Sequence, residues 1–166
     1  MAALVELYRE IILDHYRSPR NRGELDSPPA HRVEGFNPLC GDEVVVSMVV
    51  EDGKLSDLKI GGSGCSISQS SASLMSAAVK GKPVDEVRRQ LTQLVEIDLL
   101  GLAVRHVVRA VAVRSEVGLV DRHHPLEGGD QAALQGVVKF PVRIKCATLS
   151  WNALAQGLDE VAAEAS

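Results

Sequence analysis

The chain has 166 residues, 18 Lys+Arg against 22 Asp+Glu, and a formal net charge of −4. That length suits one domain with an ordinary core. An apolar share of 45% beside 24% charged residues excludes a disordered tail, a collagen-like chain and a disulfide scaffold. The negative balance argues against nucleic-acid binding, which draws its affinity mostly from phosphate neutralisation. The aromatics, Tyr8, Tyr16, Phe36, Phe140 and Trp151, are too few for a base-stacking platform.

Leu4, Leu7, Tyr8, Ile11, Ile12 and His15 recur at helical spacing and predict an amphipathic first helix, closed near Ser18-Pro19. Glu6, Arg9, Glu10 and Asp14 interrupt the apolar run, so a secretory leader is not expected there. Residues 21–30 read as a polar, proline-bearing connector. The valines of 43–51 predict a strand, Asp52-Gly53 a hairpin turn, and the alternation over 55–60 its partner strand. Gly61-Gly62-Ser63-Gly64-Cys65 reads as a glycine-rich turn that opens a helix over 66–80, with Ser66 and Gln69 spaced as a capping box. It lacks the Gly-Lys-Ser/Thr ending of a phosphate loop.

After Gly81-Lys82-Pro83 a short helix is expected over 84–95. Val104, Val107, Val108 and Val111 fit either a helix or a strand. The most apolar stretch, 99–113, is broken by Arg105, His106 and Arg109, so no membrane span is expected. His123-His124 sits in a polar loop and reads as solvated surface. His106 reads as a satisfied core or edge histidine, and Arg105 with Arg109 as a solvated face. Residues 135–143 form an irregular apolar stretch through Phe140-Pro141. Cys146 is expected to open a last helix with Ala147, Trp151, Leu154, Leu158 and Val161 on one stripe. The elements add up to an α+β fold, an antiparallel sheet with helices on one side.

The three cysteines are an odd number without near partners, which fits reduced thiols in the cytoplasm. Each sits at a punctuation point. Cys40 lies in Asn37-Pro38-Leu39-Cys40-Gly41-Asp42 before the first clear strand. Cys65 and Cys146 are placed at helix starts, where partial positive charge favours a thiolate. Arg143 and Lys145 beside Cys146 push the same way. Zinc takes four ligands from Cys, His and carboxylate. Cys40 and Asp42 supply a thiolate and a carboxylate two residues apart, and Cys65 and Cys146 would complete a Cys₃Asp set. The spacing is not that of a zinc finger, so the residues alone leave metal binding and scattered structural cysteines both open. No protease nucleophile signature is present.

The segments NPLCGDEV, GSGCSISQSSASLMSAAVKGK and LQGVVKFPVRIKCATLSW, with LYREIILDHYRSPRNRG near the N-terminus, resemble the SufU branch of the IscU/NifU-like iron–sulfur assembly proteins. The resemblance covers the chain to about Lys82 and again from about Ala133. It implies a single α+β domain over 1–166, with a three-stranded antiparallel sheet packed on one side by helices. It also implies an inserted segment over 98–129 and one site made of Cys40, Asp42, Cys65 and Cys146. IscU-type scaffolds usually carry a histidine where this chain has Lys145, as SufU-like proteins do.

The implied activity is that of a zinc-dependent sulfur acceptor for a SufS-like cysteine desulfurase, with a downstream iron–sulfur scaffold or acceptor as second partner. Cys40 would be the accepting thiolate, freed when a desulfurase side chain displaces it from zinc. Arg143 and Lys145 would offset the anionic charge of the site. Two other readings stand beside this one. The same residues would hold iron or a transient [2Fe–2S] cluster in a scaffold. Or zinc would simply stabilise an interaction module without sulfur chemistry.

Overall fold

The computed structural model describes residues 2–100 and 141–165, with side chains from 9 to 92 and from 143 to 165. Among these the chain runs α1 (Ala2–Arg17), β1 (His31–Asn37), β2 (Asp42–Glu51), β3 (Lys54–Ser63), α2 (Ser66–Val79), α3 (Val84–Leu100) and α4 (Pro141–Glu164). The strands make one antiparallel sheet in the order β1-β2-β3. The expected three-stranded α+β architecture holds.

Alternate strand residues point to one face. Val33, Val44, Val46, Met48, Leu55, Leu58 and Ile60 are buried there, with Met75, Val79, Trp151, Leu154 and Leu158 above them. This is the period of two expected of strands that bury a single face. Helices α2 and α4 lie on that face, α1 packs on α2, and α3 packs on α4.

Helix α2 is buried almost all round, not on the single stripe its apolar spacing suggests. Ser68, Ser70, Ser71, Ser73 and Ser76 are all interior. Small side chains let α1, α4 and the sheet approach it closely, and their hydroxyls carry the bonds between helices. His15 Nδ1 lies 2.8 Å from Ser73 Oγ, and the same oxygen accepts from the Arg20 backbone N–H at 2.8 Å. Trp151 Nε1 donates to Ser71 Oγ at 3.2 Å. A buried polar group is tolerated when it is bonded in this way.

The 21–30 connector is more than a linker. The Ile60 N–H donates to the Asn21 carbonyl and the Gly23 N–H to the Ile60 carbonyl, both at 2.9 Å, so the segment pairs along the outer edge of β3. Its Leu25 N–H then donates to Ser47 Oγ on the outer face of the sheet at 3.0 Å. Pairing of this kind covers an edge that would otherwise template association.

Several expectations need correction. β1 was not among the elements read from the sequence. Its residues include Gly35, Asn37 and three charged or ionisable side chains, and pairing to β2 overrides that weak local preference. Gly61, Gly62 and Ser63 belong to β3, so the glycine-rich segment is mostly strand. The capping box at Ser66 is not the cap. Cys65 is the N-cap residue, and its sulfur accepts from the Ser68 N–H. α3 runs past 95 to Leu100. α4 starts at Pro141, within the stretch expected to be irregular, because a proline at the first helical position gives up an N–H that has no helical partner anyway. Of the 98–129 segment, 98–100 continue α3. The remainder lies outside the described residues, as do Arg105, His106, Arg109, His123 and His124. No helix among the described residues is long and apolar enough to cross a membrane.

Ser73→Ala removes the acceptor shared by His15 and the Arg20 amide, and is expected to lower the unfolding free energy by about 1–3 kcal/mol. Ser70→Ala is the control, because the Ser70 hydroxyl donates to the Ile67 carbonyl within its own helix. It should stay within about 1 kcal/mol of the parent in urea unfolding.

Candidate metal centre

Three chain segments end at one place. The β1–β2 hairpin turns through Pro38, Leu39, Cys40 and Gly41, with Asn37 and Asp42 paired at its base. β3 ends at Ser63 and α2 begins at Ser66, which puts Cys65 between them. The second turn of α4 brings Cys146.

Cys40 Sγ stands 3.1 Å from Cys146 Sγ. That is well beyond the ~2.05 Å of a disulfide, and all three cysteines are free. Single ligand atoms of Cys40, Asp42 and Cys146 lie within 4.8 Å of one another. Cys65 joins the group through Asp42, whose Oδ1 accepts from the Cys65 N–H at 2.8 Å and whose Oδ2 lies 3.1 Å from Cys65 Sγ. Cys40, Asp42 and Cys146 of the expected set therefore form one group, and Cys65 borders it through its contacts with Asp42.

Access differs sharply among the sulfurs. Cys40 is exposed, Cys65 is half-buried and Cys146 is buried at 3%. On the same hairpin as Cys40, Phe36 and Leu39 present large apolar side chains to solvent, each about 60% exposed. Asp42 is buried at 2%. Burial works against its ionisation, yet the Cys65 backbone N–H and the thiols of Cys65, Cys40 and Cys146 outweigh that and hold the carboxyl below its usual range. Burial pushes the Cys146 thiol far up. Its bonds to Cys40 and Asp42 and the neighbouring negative charge add to that.

Cys146 is not at a helix start, contrary to the expectation from the sequence. With α4 beginning at Pro141, Cys146 lies beyond the four free N–H groups of the first turn. Its thiol is governed by burial and anionic neighbours, not by the helix terminus. Cys65 does stand at a helix start, and its sulfur takes the Ser68 N–H at 3.5 Å. Arg143 and Lys145 sit on exposed positions of α4, three residues and one residue before Cys146.

Two residues of the site were not singled out from the sequence. Gly64 packs so closely that an added Cβ would lie 2.7 Å from both Asp42 Oδ1 and Ser68 Oγ. Asn37 is buried at 4% and reaches Cys146 Sγ with its Nδ2 at 3.5 Å. The Asn-Pro pair signals a turn in the sequence, but nothing local shows that the side chain faces a sulfur more than a hundred positions away.

The model of the NifU-like N-terminal domain matches residues 7–147. The chain belongs to that family. Among relatives of this NifU-like domain, the zinc-dependent sulfurtransferase SufU of Bacillus subtilis (strain 168) is 39% identical over 157 residues, which is 95% of this chain and 92% of its own. The iron–sulfur cluster assembly scaffold protein IscU of Streptococcus pyogenes serotype M1 is 33% identical, over 95% of this chain and 86% of its own. A crystal structure from Fervidobacterium islandicum AW-1, described as an iron–sulfur cluster assembly scaffold for the SUF system, superposes with a TM-score of 0.69 at 27% identity. It spans 92% of this chain and 97% of that one. The family read from the motifs and the fold it implied are both borne out.

Gly64→Ala tests the packing of this domain's site. The new methyl group would displace the Asp42 carboxylate from Cys65 at a cost of about 1–3 kcal/mol. In hydrogen exchange the Cys65 amide, now bonded to Asp42, should lose protection while the amides of β2 that pair with β3 keep theirs.

Proposed function

We propose that this NifU-like protein accepts persulfide sulfur from a cysteine desulfurase on Cys40, at a zinc site held by Cys40, Asp42, Cys65 and Cys146. The observation that carries the reading is one exposed thiol 3.1 Å from a buried one, with a buried carboxylate beside both. The Bacillus relative is a zinc-dependent sulfurtransferase, which supports it.

The donor set suits the ion. Two sulfurs on one tetrahedral zinc stand about 3.8 Å apart, given bond lengths of ~2.3 Å, so the observed 3.1 Å needs only a small side-chain adjustment. Burial first, and then the neighbouring thiol and carboxylate, hold the Cys146 thiol protonated in the absence of a cation. When bound, zinc supplies the positive charge that keeps the sulfurs deprotonated at neutral pH, without redox chemistry of its own.

The chain's own residues then divide the work. Cys146, Cys65 and Asp42 stay buried or half-buried and hold the site together. Cys40 rides on the exposed hairpin and is the sulfur that an incoming protein reaches. Its thiolate attacks the terminal sulfur of the donor persulfide. A Cys40–sulfur bond forms, the donor's sulfur–sulfur bond breaks, and the donor cysteine leaves as a thiolate. The persulfide proton travels with the transferred sulfur, so no oxidant or reductant is consumed. Phe36 and Leu39 give the donor an apolar surface next to Cys40, of the kind that marks protein contacts. Arg143 and Lys145 offset the anionic charge of the loaded site. Free thiols of this kind belong in a reducing compartment, and the cytoplasm is the setting we assign. A downstream iron–sulfur scaffold or acceptor would take the sulfur on.

The IscU scaffold relatives favour a second reading, in which the same four residues hold a transient [2Fe–2S] cluster. Anaerobic reconstitution separates the two. A scaffold develops a cluster spectrum and passes the cluster to an apo-acceptor, whereas a sulfur acceptor stimulates the desulfurase in its zinc-loaded form.

Cys40→Ala is expected to abolish stimulation of a cysteine desulfurase while the protein stays folded. Sulfide release equal to the parent's would remove Cys40 as the acceptor. Leu39→Asp leaves every proposed ligand in place, and should raise the protein concentration needed for half-maximal stimulation by roughly tenfold, the loss expected when a charge enters an apolar contact. Metal analysis of freshly purified protein should find one zinc per chain. Finding neither zinc nor iron would sink both metal readings.

A further inference from the structure

Asn37 is the last residue of β1, 4% exposed, and its backbone carbonyl, side-chain oxygen and side-chain nitrogen are all engaged. Its backbone carbonyl accepts from the Cys40 N–H at 3.3 Å and from the Gly41 N–H at 2.8 Å. Its Oδ1 accepts from the Leu39 N–H at 3.1 Å. Its Nδ2 reaches Cys146 Sγ at 3.5 Å. One residue thus fastens the loop that carries one thiol and touches the helix-borne thiol opposite.

The direction of the amide is fixed by this chemistry. The Leu39 N–H is a donor and needs an acceptor, so the oxygen of the side chain must face the loop. The nitrogen is then turned to α4, where the sulfur accepts from it. Flipping the amide would set two donors against each other at Leu39 and put a carbonyl oxygen against the sulfur.

We propose that Asn37 is a positioning residue for the metal centre, locking the Cys40 hairpin in place and donating a hydrogen bond to the Cys146 sulfur. The proposal rests on the reading above that Cys40 and Cys146 are ligands. A donor held against a ligating sulfur stabilises its thiolate form, the form that binds metal, lowers the energy of the sulfur electrons and fixes where the sulfur sits. The residue type follows. Aspartate keeps the Leu39 bond but puts negative charge against the sulfur. Serine keeps an acceptor for the loop turn but is too short to reach Cys146. Alanine loses both contacts.

The experiment compares Asn37→Ser and Asn37→Ala with the parent, each loaded with cobalt(II) as a spectroscopic stand-in for zinc, and each titrated with zinc against a chelator. Circular dichroism of the metal-free proteins checks the fold. Loss of the donated bond should move the sulfur-to-cobalt charge-transfer band to lower energy in both variants, and zinc affinity should fall by roughly 10–100-fold in both. A serine variant with parental band and affinity beside a weakened alanine variant would overturn the proposal, leaving Asn37 only a turn former. Unchanged bands in both variants would overturn it as well. Failure of the parent itself to take up cobalt or zinc would overturn the metal reading, and the role of Asn37 with it. That outcome is distinguishable because the parent shows it too.

Discussion

The arrangement turns on the Asp42 carboxylate. It sits at the first residue of β2, buried, with one oxygen on the Cys65 N–H and the other facing the Cys65 sulfur. A buried carboxylate without partners costs several kcal/mol, so the chain around it is built to supply them. The glycine at 64 leaves room for the approach, and the start of α2 presents its free N–H groups nearby. This contact joins the sheet to α2 at the point where the hairpin and α4 also arrive.

Within that frame, burial assigns different roles to chemically equal side chains. Cys40 and Cys146 are both thiols and nearly touch. One stands on an exposed loop and the other in the second turn of a helix packed on the sheet. A group-transfer site needs such an inequality, since a thiol that is to exchange sulfur must be reached by another protein. The sulfur that stays behind gains from being held. The same difference explains why burial dominates the titration of Cys146.

The interior that supports this tip is unusually polar along α2. Its serines bond to α1 through Ser73, to Trp151 and the Ala147 carbonyl through Ser71, and to Asn21 of the connector through Ser76. Satisfied hydroxyls of this size permit close helix packing and fix the register of each neighbour. Ser71 matters most for the site, because Ala147 follows Cys146 directly. The central helix thereby ties down the part of α4 that carries the buried thiol.

The family, the α+β class, the first helix, the 43–60 hairpin and the four candidate side chains were legible in the sequence. These rest on local signals: helical and alternating periods, turn dipeptides, and long motifs around each cysteine. β1 escaped because its residues become a strand only through pairing with β2 and contact with α4, and neither is local. The start of α4 escaped because Phe140-Pro141 reads as a break until the proline is seen to occupy the first helical position. Packing is what sets one thiol in solvent and another in the interior, puts Cys65 against Asp42, and turns Asn37 to a sulfur from the far end of the chain. Burial and long-range contact belong to the packed elements together, and no window of sequence contains them.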